Sequence, residues 1–273
     1  MAVDKSKALE SMKNNLLQYK DAVVIVGNDI VREAHLFHAT EFNEQAYSRK
    51  NMIKKPKEYW TLYKTNIAEN EHNTTGTKEQ KALLELLKLG IVNTVIDANF
   101  DGYLKDKIPK NIQYIQLKGD RHELFCTKCN KIIPYTENIT GDKVLIHKDL
   151  ENTECAGKVQ PTVPHYNSKV PKNTWTNILN SIFDEEALKE NELENKYIPK
   201  THALILVGID IAEDIVGDIV DLYKLSRGKS NLQHLLIVIT YKSPQLIDML
   251  EAEFGTIDEI DESLLRLKKM LQE

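Results

Sequence analysis

The chain has 273 residues, 41% of them hydrophobic, enough to bury the core of one large domain with a small insertion or of two modest domains. Acidic and basic residues are mixed, 28% of the chain together, and the net charge of -5 supplies no basic footprint for nucleic acid or for an anionic membrane surface, so neither partner is expected. No apolar run reaches the length of a membrane span, and Met1 to Lys7 lack the apolar core of a secretion signal, so a cytoplasmic location is expected.

Leu9, Met12, Leu16 and Leu17 recur at helical spacing and predict a first helix over Ser6 to Tyr19. Ala22 to Gly27 is a continuous apolar run ending in glycine, the pattern of a parallel strand buried on both faces. A strand that ends this way before a loop or helix is where a doubly wound sheet places a phosphate-bearing ligand. A polar stretch with interleaved aromatics follows, with a helix over Lys57 to Tyr63. Tyr59, Trp60 and Tyr63 there read as core packing rather than ligand stacking. After a loop at Asn73 to Gly76, Gln80 to Leu89 is an amphipathic helix closed by Gly90. Ile91 to Ile96 is a second buried strand, running into the turn-forming sequence Asn99-Phe100-Asp101-Gly102. Ile108-Pro109 marks a loop, because the residue before proline is pushed out of helical geometry, and a strand over Ile112 to Leu117 comes next.

Cys126 and Cys129 form a Cys-x-x-Cys knuckle, and Cys155 is the third and last cysteine. In a reducing compartment this is a poor disulfide framework and a better partial metal site. Asn173 to Lys189 predicts an amphipathic helix, and the charged stretch from Glu185 to Lys196 a solvated face. His202 to Gly208 is a strand, Ile215 to Leu225 a helix, Leu235 to Thr240 the final strand and Glu259 to Gln272 the closing helix. Alternating strands and helices predict an α/β fold. Its centre is a doubly wound, Rossmann-like parallel sheet, with a small zinc-ribbon-like insertion. The expected division is a core of residues 1–115 and 160–273 and a module of residues 116–159.

Several motifs resemble the sirtuins, the NAD-dependent protein deacylases, in the family's order and over nearly all of the chain. Leu117-Lys118-Gly119 stands where sirtuins have Leu-His-Gly, at the same distance before the first cysteine of their zinc ribbon. Gly27-Asn28-Asp29-Ile30-Val31 keeps the first glycine and the isoleucine of Gly-Ala-Gly-Ile-Ser. Asn99, Asp101 and Gly102 match Thr-Gln-Asn-Ile-Asp-Gly residue by residue, whereas Asp97 and Ala98 do not. Gly208 heads the counterpart of Gly-Thr-Ser, with Asp210 for the serine, and Ser243-Pro244 resembles a Thr-Pro.

The resemblance implies NAD as cofactor, with Gly27, Ile30, Asn99, Asp101 and Gly208 lining its site and Asn99 and Asp101 in catalytic roles. It implies zinc on Cys126, Cys129 and Cys155. The family's remaining cysteine falls on Asn152, a poor ligand, and His147, Asp149, Glu151 or Glu154 are the candidates to complete the set. The family's histidine is a general base, and a lysine ammonium is a donor-only cation at neutral pH, so deacylation is expected to be weak or lost. Thr162 to Asn167 keeps little of the family's peptide-pairing segment, and Pro164, with Pro161 before it, opposes strand pairing. Asp29, Asp97 and Asp210, with Asp120, are expected to converge where a pyrophosphate would lie. Two readings follow: a sirtuin-type deacylase or ADP-ribosyl transferase acting on an acylated or ADP-ribosylated protein, or a non-catalytic binding module with an unknown protein partner.

Overall fold

A computed structural model of the protein describes residues 5–27, 30, 47–65, 76–99, 101–136, 139, 142–151, 154–163, 172–184, 199–209, 214–227, 235–239, 258–260 and 264–272. Asp29, Asp210, Asn152, the turn at 73–75, the charged stretch 185–196, the segment 164–167 and Ser243-Pro244 lie outside the described residues.

Helix α1 (Lys5–Tyr19) leads into β1 (Ala22–Val26), whose five residues are all buried. Two short helices follow, α2 (Arg49–Lys54) and α3 (Pro56–Tyr63), and then α4 (Lys78–Leu87) and β2 (Val92–Asp97). Strand β3 (Gln113–Gln116) precedes the small antiparallel strands β4 (Glu123–Cys126), β5 (Ile132–Pro134) and β6 (Val159–Pro161), with α5 (His147–Glu151) between the last two. The chain then runs through α6 (Lys172–Ile182), β7 (Ala203–Val207), α7 (Asp214–Arg227), β8 (Leu235–Ile239), β9 (Asp258–Ile260) and α8 (Leu264–Gln272).

Strands β3-β2-β1-β7-β8-β9 form one sheet in that order, every neighbouring pair parallel. Parallel strands need crossovers, and the helices that provide them cover both faces. Alternation along each strand divides the apolar residues between two cores. Val24, Val26, Val95, Ile205 and Val207 pack with Met12 and Leu16 of α1, Leu83 and Leu86 of α4, and Leu264 and Leu267 of α8. Val23, Ile25, Ile96, Leu204 and Leu206 pack on the opposite face with Ile178 and Ile182 of α6 and Ile219 and Tyr223 of α7. The doubly wound sheet expected from the sequence is therefore present. No helix among the described residues is long and apolar enough to cross a membrane.

Strands β5-β4-β6 make a second, antiparallel sheet. Its apolar core is not self-sufficient: Leu124, Ile133 and Val159 pack with Tyr47, Met52, Tyr59, Trp60 and Tyr63. The aromatics of α3 are thus buried, and the Tyr63 hydroxyl donates to the Arg121 carbonyl at 2.6 Å, fastening α3 to the start of the module.

Two element boundaries differ from the sequence reading by more than two residues. The closing helix expected from Glu259 begins at Leu264, because Asp258–Ile260 pairs in parallel with β8, and an edge strand tolerates the charges that made this stretch look helical. The helix from Asn173 stops at Ile182, where Phe183 bridges to Pro199 and Lys200 N–H donates to the Ile182 carbonyl.

Candidate active site and metal centre

The sheet order reverses between β1 and β7, the place where a doubly wound sheet opens a crevice at the carboxyl ends of its strands. Gly27 and Gly208 end these two strands and touch there. The Gly27 N–H donates to the Val207 carbonyl at 2.8 Å, and a Cβ on Gly27 would lie 2.4 Å from the Gly208 oxygen and 2.7 Å from Ile209 Cα. No side chain fits between the strand ends, so both predicted glycines belong to one floor of the crevice. Ile30, 1% exposed, is buried in the core that α1 and α4 form on one face of the sheet.

Strand β2 delivers Asp97 and Asn99 to the same edge. Asn99 Nδ2 reaches across to donate to the Gly27 carbonyl at 3.2 Å and donates to Asp97 Oδ1 at 3.0 Å, while the Asn99 backbone N–H donates to that same oxygen at 2.9 Å. The other oxygen of Asp97 accepts from the Tyr114 hydroxyl at 2.9 Å. Burial, reinforced by the Asp101 carboxylate, pushes the Asp97 carboxyl up to about 7 against the lowering effect of these donors. Burial likewise raises the Tyr114 phenol, with the nearby carboxylates adding to the effect.

Asp101 is held from the opposite side. Gln80 Nε2 donates to its Oδ2 at 2.8 Å and the Tyr103 N–H to its Oδ1 at 3.3 Å. Gln80 is fixed in turn by the capping box of α4, in which Thr77 Oγ1 accepts from the Gln80 N–H and the Gln80 side chain accepts from the Thr77 N–H. The Thr77 hydroxyl donates to the Ile30 carbonyl at 2.7 Å, so Ile30, Thr77, Gln80 and Asp101 form one buried chain. The sequence reading missed Thr77 and Gln80, although a threonine three residues before a glutamine at a helix start was the available signal. Thr77→Ala removes both bonds and is expected to cost about 1–2 kcal/mol, read as a lower urea midpoint at unchanged slope.

Strand β3 ends at Gln116, and the half-buried Lys118 lies beyond it. Gly119 adopts φ +71, and a Cβ there would come within 2.3 Å of the Thr162 carbonyl, so this turn into the module requires glycine. Asp120 accepts from the His122 N–H at 2.7 Å and from Lys105 Nζ at 3.2 Å, and Lys105 also pairs with Glu123. Two of the carboxylates expected to converge, Asp97 and Asp120, are thus placed, and with Asp101 they act together on Tyr114. Asp97 and Asp120 each turn to donors of the protein, because burial makes an unpaired carboxylate costly.

The metal candidates gather at the other end of the module. The ligand atoms of Cys126, Cys129, His147 and Cys155 all lie within 4.8 Å of one another. Cys126 and Cys155 Sγ are 3.6 Å apart, and Cys129 Sγ is 3.3 Å from His147 Nδ1. Burial opposes ionisation of Cys126, but the N–H groups of Cys129 and Lys128 and the adjacent thiols outweigh it and draw the thiol down to about 6. His147 Nε2 meets Glu151 Oε2 at 2.8 Å, and Lys131 pairs with that carboxylate at 2.8 Å. Three thiolates and an imidazole backed by a carboxylate fit a tetrahedral zinc ion, with His147 as the fourth donor.

A six-stranded parallel sheet of order 3-2-1-4-5-6, with a cysteine-rich module inserted after its third strand, defines a Rossmann-like α/β protein with a zinc-ribbon-like insertion. No family model matches the chain. It is 28% identical over 117 residues to an NAD-dependent protein deacetylase of Thermodesulfovibrio yellowstonii, 42% of this chain and 43% of that protein. It is 27% identical over 110 residues to one of Sulfurisphaera tokodaii, 40% of this chain and 42% of that protein. The matches thus span about two fifths of the length of these curated relatives. Among solved structures, a Sir2 homolog–NAD complex superposes with a TM-score of 0.66 at 14% identity, over 96% of this chain and 92% of that one. Sir2Tm bound to a propionylated peptide gives 0.65 at 13% identity, over 97% of both chains. The fold of these Sir2 structures is thus shared over 96–97% of the chain, and the local sequence matches are to proteins named NAD-dependent protein deacetylase.

Proposed function

We propose that this chain is a sirtuin-type NAD-dependent transferase acting on proteins, a lysine deacylase or ADP-ribosyl transferase in which deacylation is weak. The observation that carries the reading is Asn99, held by buried hydrogen bonds against Gly27 at the switch point of the sheet, with Asp101 two residues on held by Gln80. Relatives named NAD-dependent protein deacetylase support the cofactor and the substrate class.

Bound NAD would supply a ribosyl carbon whose bond to nicotinamide breaks in the transfer. In this chain Gly27 and Gly208 bring the ends of β1 and β7 into backbone contact below the dinucleotide, and Asn99 and Asp101 offer polar groups to its ribose and carboxamide. Lys118 stands in the position of the family's base, and a lysine side chain there replaces the imidazole that performs the proton abstraction in the family. Transfer that needs no proton abstraction at that point is favoured over deacylation.

Calorimetric titration with NAD tests the reading, and saturable binding is the expected result. Acyl-lysine peptides are then expected to turn over slowly, with Lys118→His raising the rate at least tenfold while NAD affinity changes little. No heat of binding at millimolar NAD would remove the enzyme reading and leave the fold as a binding module.

A further inference from the structure

The side-chain nitrogen of Asn99 sits between two acceptors, Asp97 Oδ1 and the Gly27 carbonyl. Exchanging the amide oxygen and nitrogen would set oxygen against both, so the partners themselves decide the orientation. That orientation leaves Asn99 Oδ1 buried and without a hydrogen-bond partner among the described residues, on a residue only 2% exposed. A buried acceptor left unpaired is unfavourable, and a site that enforces one is built to receive a donor. Asp97 cannot swing aside to relieve it, because the Asn99 N–H and the Tyr114 hydroxyl hold its two oxygens on different sides. Asp97 stands where the resembled family has a threonine, so this arrangement belongs to the present chain.

We propose that Asp97 is a positioning residue of the crevice: with the Gly27 carbonyl, it turns Asn99 so that its side-chain oxygen is presented to a hydrogen-bond donor of the bound ligand. The inference rests on the reading of the crevice as an NAD site, where the donor is a ribose hydroxyl or the carboxamide N–H. Asp97 itself stays out of contact with the ligand and acts only through Asn99.

The test compares Asp97→Asn and Asp97→Val with the parent chain by calorimetry with NAD and with ADP-ribose. Asp97→Asn retains an acceptor for the Asn99 amide and is expected to bind NAD within about twofold of the parent. Asp97→Val removes the acceptor, frees the amide to turn, and is expected to weaken NAD about tenfold. Parallel weakening of ADP-ribose assigns the donor to a ribose hydroxyl, whereas unchanged ADP-ribose binding assigns it to the carboxamide. A folded Asp97→Val protein that binds NAD as tightly as the parent overturns the proposal.

A second measurement needs neither ligand nor the valine variant. The side-chain amide protons of Asn99, assigned by their loss in Asn99→Asp, should exchange with solvent far more slowly than those of the exposed Asn111 in both the parent and Asp97→Asn. Equal exchange rates in the parent would show that the amide is not held. Should the parent fail to bind NAD, the functional reading falls, and this exchange measurement still decides the positioning role.

Discussion

Cys126→Ser, or prolonged chelation, is expected to strip one zinc ion per chain and to unfold the three-stranded module. Three thiols and His147 converge within 4.8 Å, a donor set that binds zinc as thiolates and returns to neutral thiols when the metal leaves. In small metal-held modules the metal's binding energy is folding energy, of order 10 kcal/mol, so its loss exceeds what most point substitutions can do. The disturbance should travel. Leu124, Cys126 and Val159 share one apolar core with Tyr59 and Trp60 of α3, so unfolding the module exposes Trp60 to water. Trp175 packs in the separate core on the sheet and should be unaffected. Metal analysis and the tryptophan emission spectrum check this together. Loss of zinc with a shift of about half the emission to longer wavelength is expected, and a metal-free preparation with an unchanged spectrum and melting temperature contradicts it.

Asp97→Asn should stabilise the protein at high pH by up to about 4 kcal/mol and do so progressively less as the pH falls. The folded carboxyl ionises at about 7 against 3.8 for an ordinary aspartate, so across that interval the folded chain holds a proton that the unfolded chain has released. Its favourable contribution is complete below about pH 4 and is lost as the pH rises through about 7, at roughly 1.4 kcal/mol per pH unit. The groups that face it are Tyr114 from β3 and Asp101 from the following turn, while β1 aligns Val26 beside it and brings the Gly27 carbonyl to Asn99. Asparagine keeps an acceptor for Asn99 and offers its own amide to the Tyr114 oxygen, so the hydrogen bonds survive while the buried charge does not. Thermal melts of both proteins from pH 4 to pH 9 check it: the difference should be near zero at the acid end and level off above about pH 7. A pH-independent difference would mean that Asp97 is ionised throughout the range.

Much of this architecture was legible in the chain itself. Continuous apolar runs such as Ala22 to Gly27 and His202 to Gly208 read as strands covered on both faces, because a one-sided strand alternates apolar with polar residues, and β1 and β7 lie there. The glycines ending those runs, the Asn99 to Gly102 turn and the spacing from Lys118 to Cys126 marked the crevice and the module without any coordinates. These signals are local: each depends on which residue types lie within a few positions of one another.

What the tertiary structure alone decided concerns partners far apart in sequence. His147 joins the cysteines because its N–H bonds to the Gly157 carbonyl and Ile146 bridges to Lys158, long-range pairings that no spacing rule specifies. Asp97 looked like one of several carboxylates aimed at a pyrophosphate, yet both of its oxygens face protein donors, since a fully buried carboxyl must satisfy itself where it lies. Asp258–Ile260 became a strand through its pairing with β8 despite a helix-like composition. Periodicity records how a segment prefers to fold by itself, whereas burial and pairing are set by the rest of the molecule. The sequence thus determined the sheet, its covering helices and the places of the two candidate sites, and the packing of distant segments determined which side chains complete them.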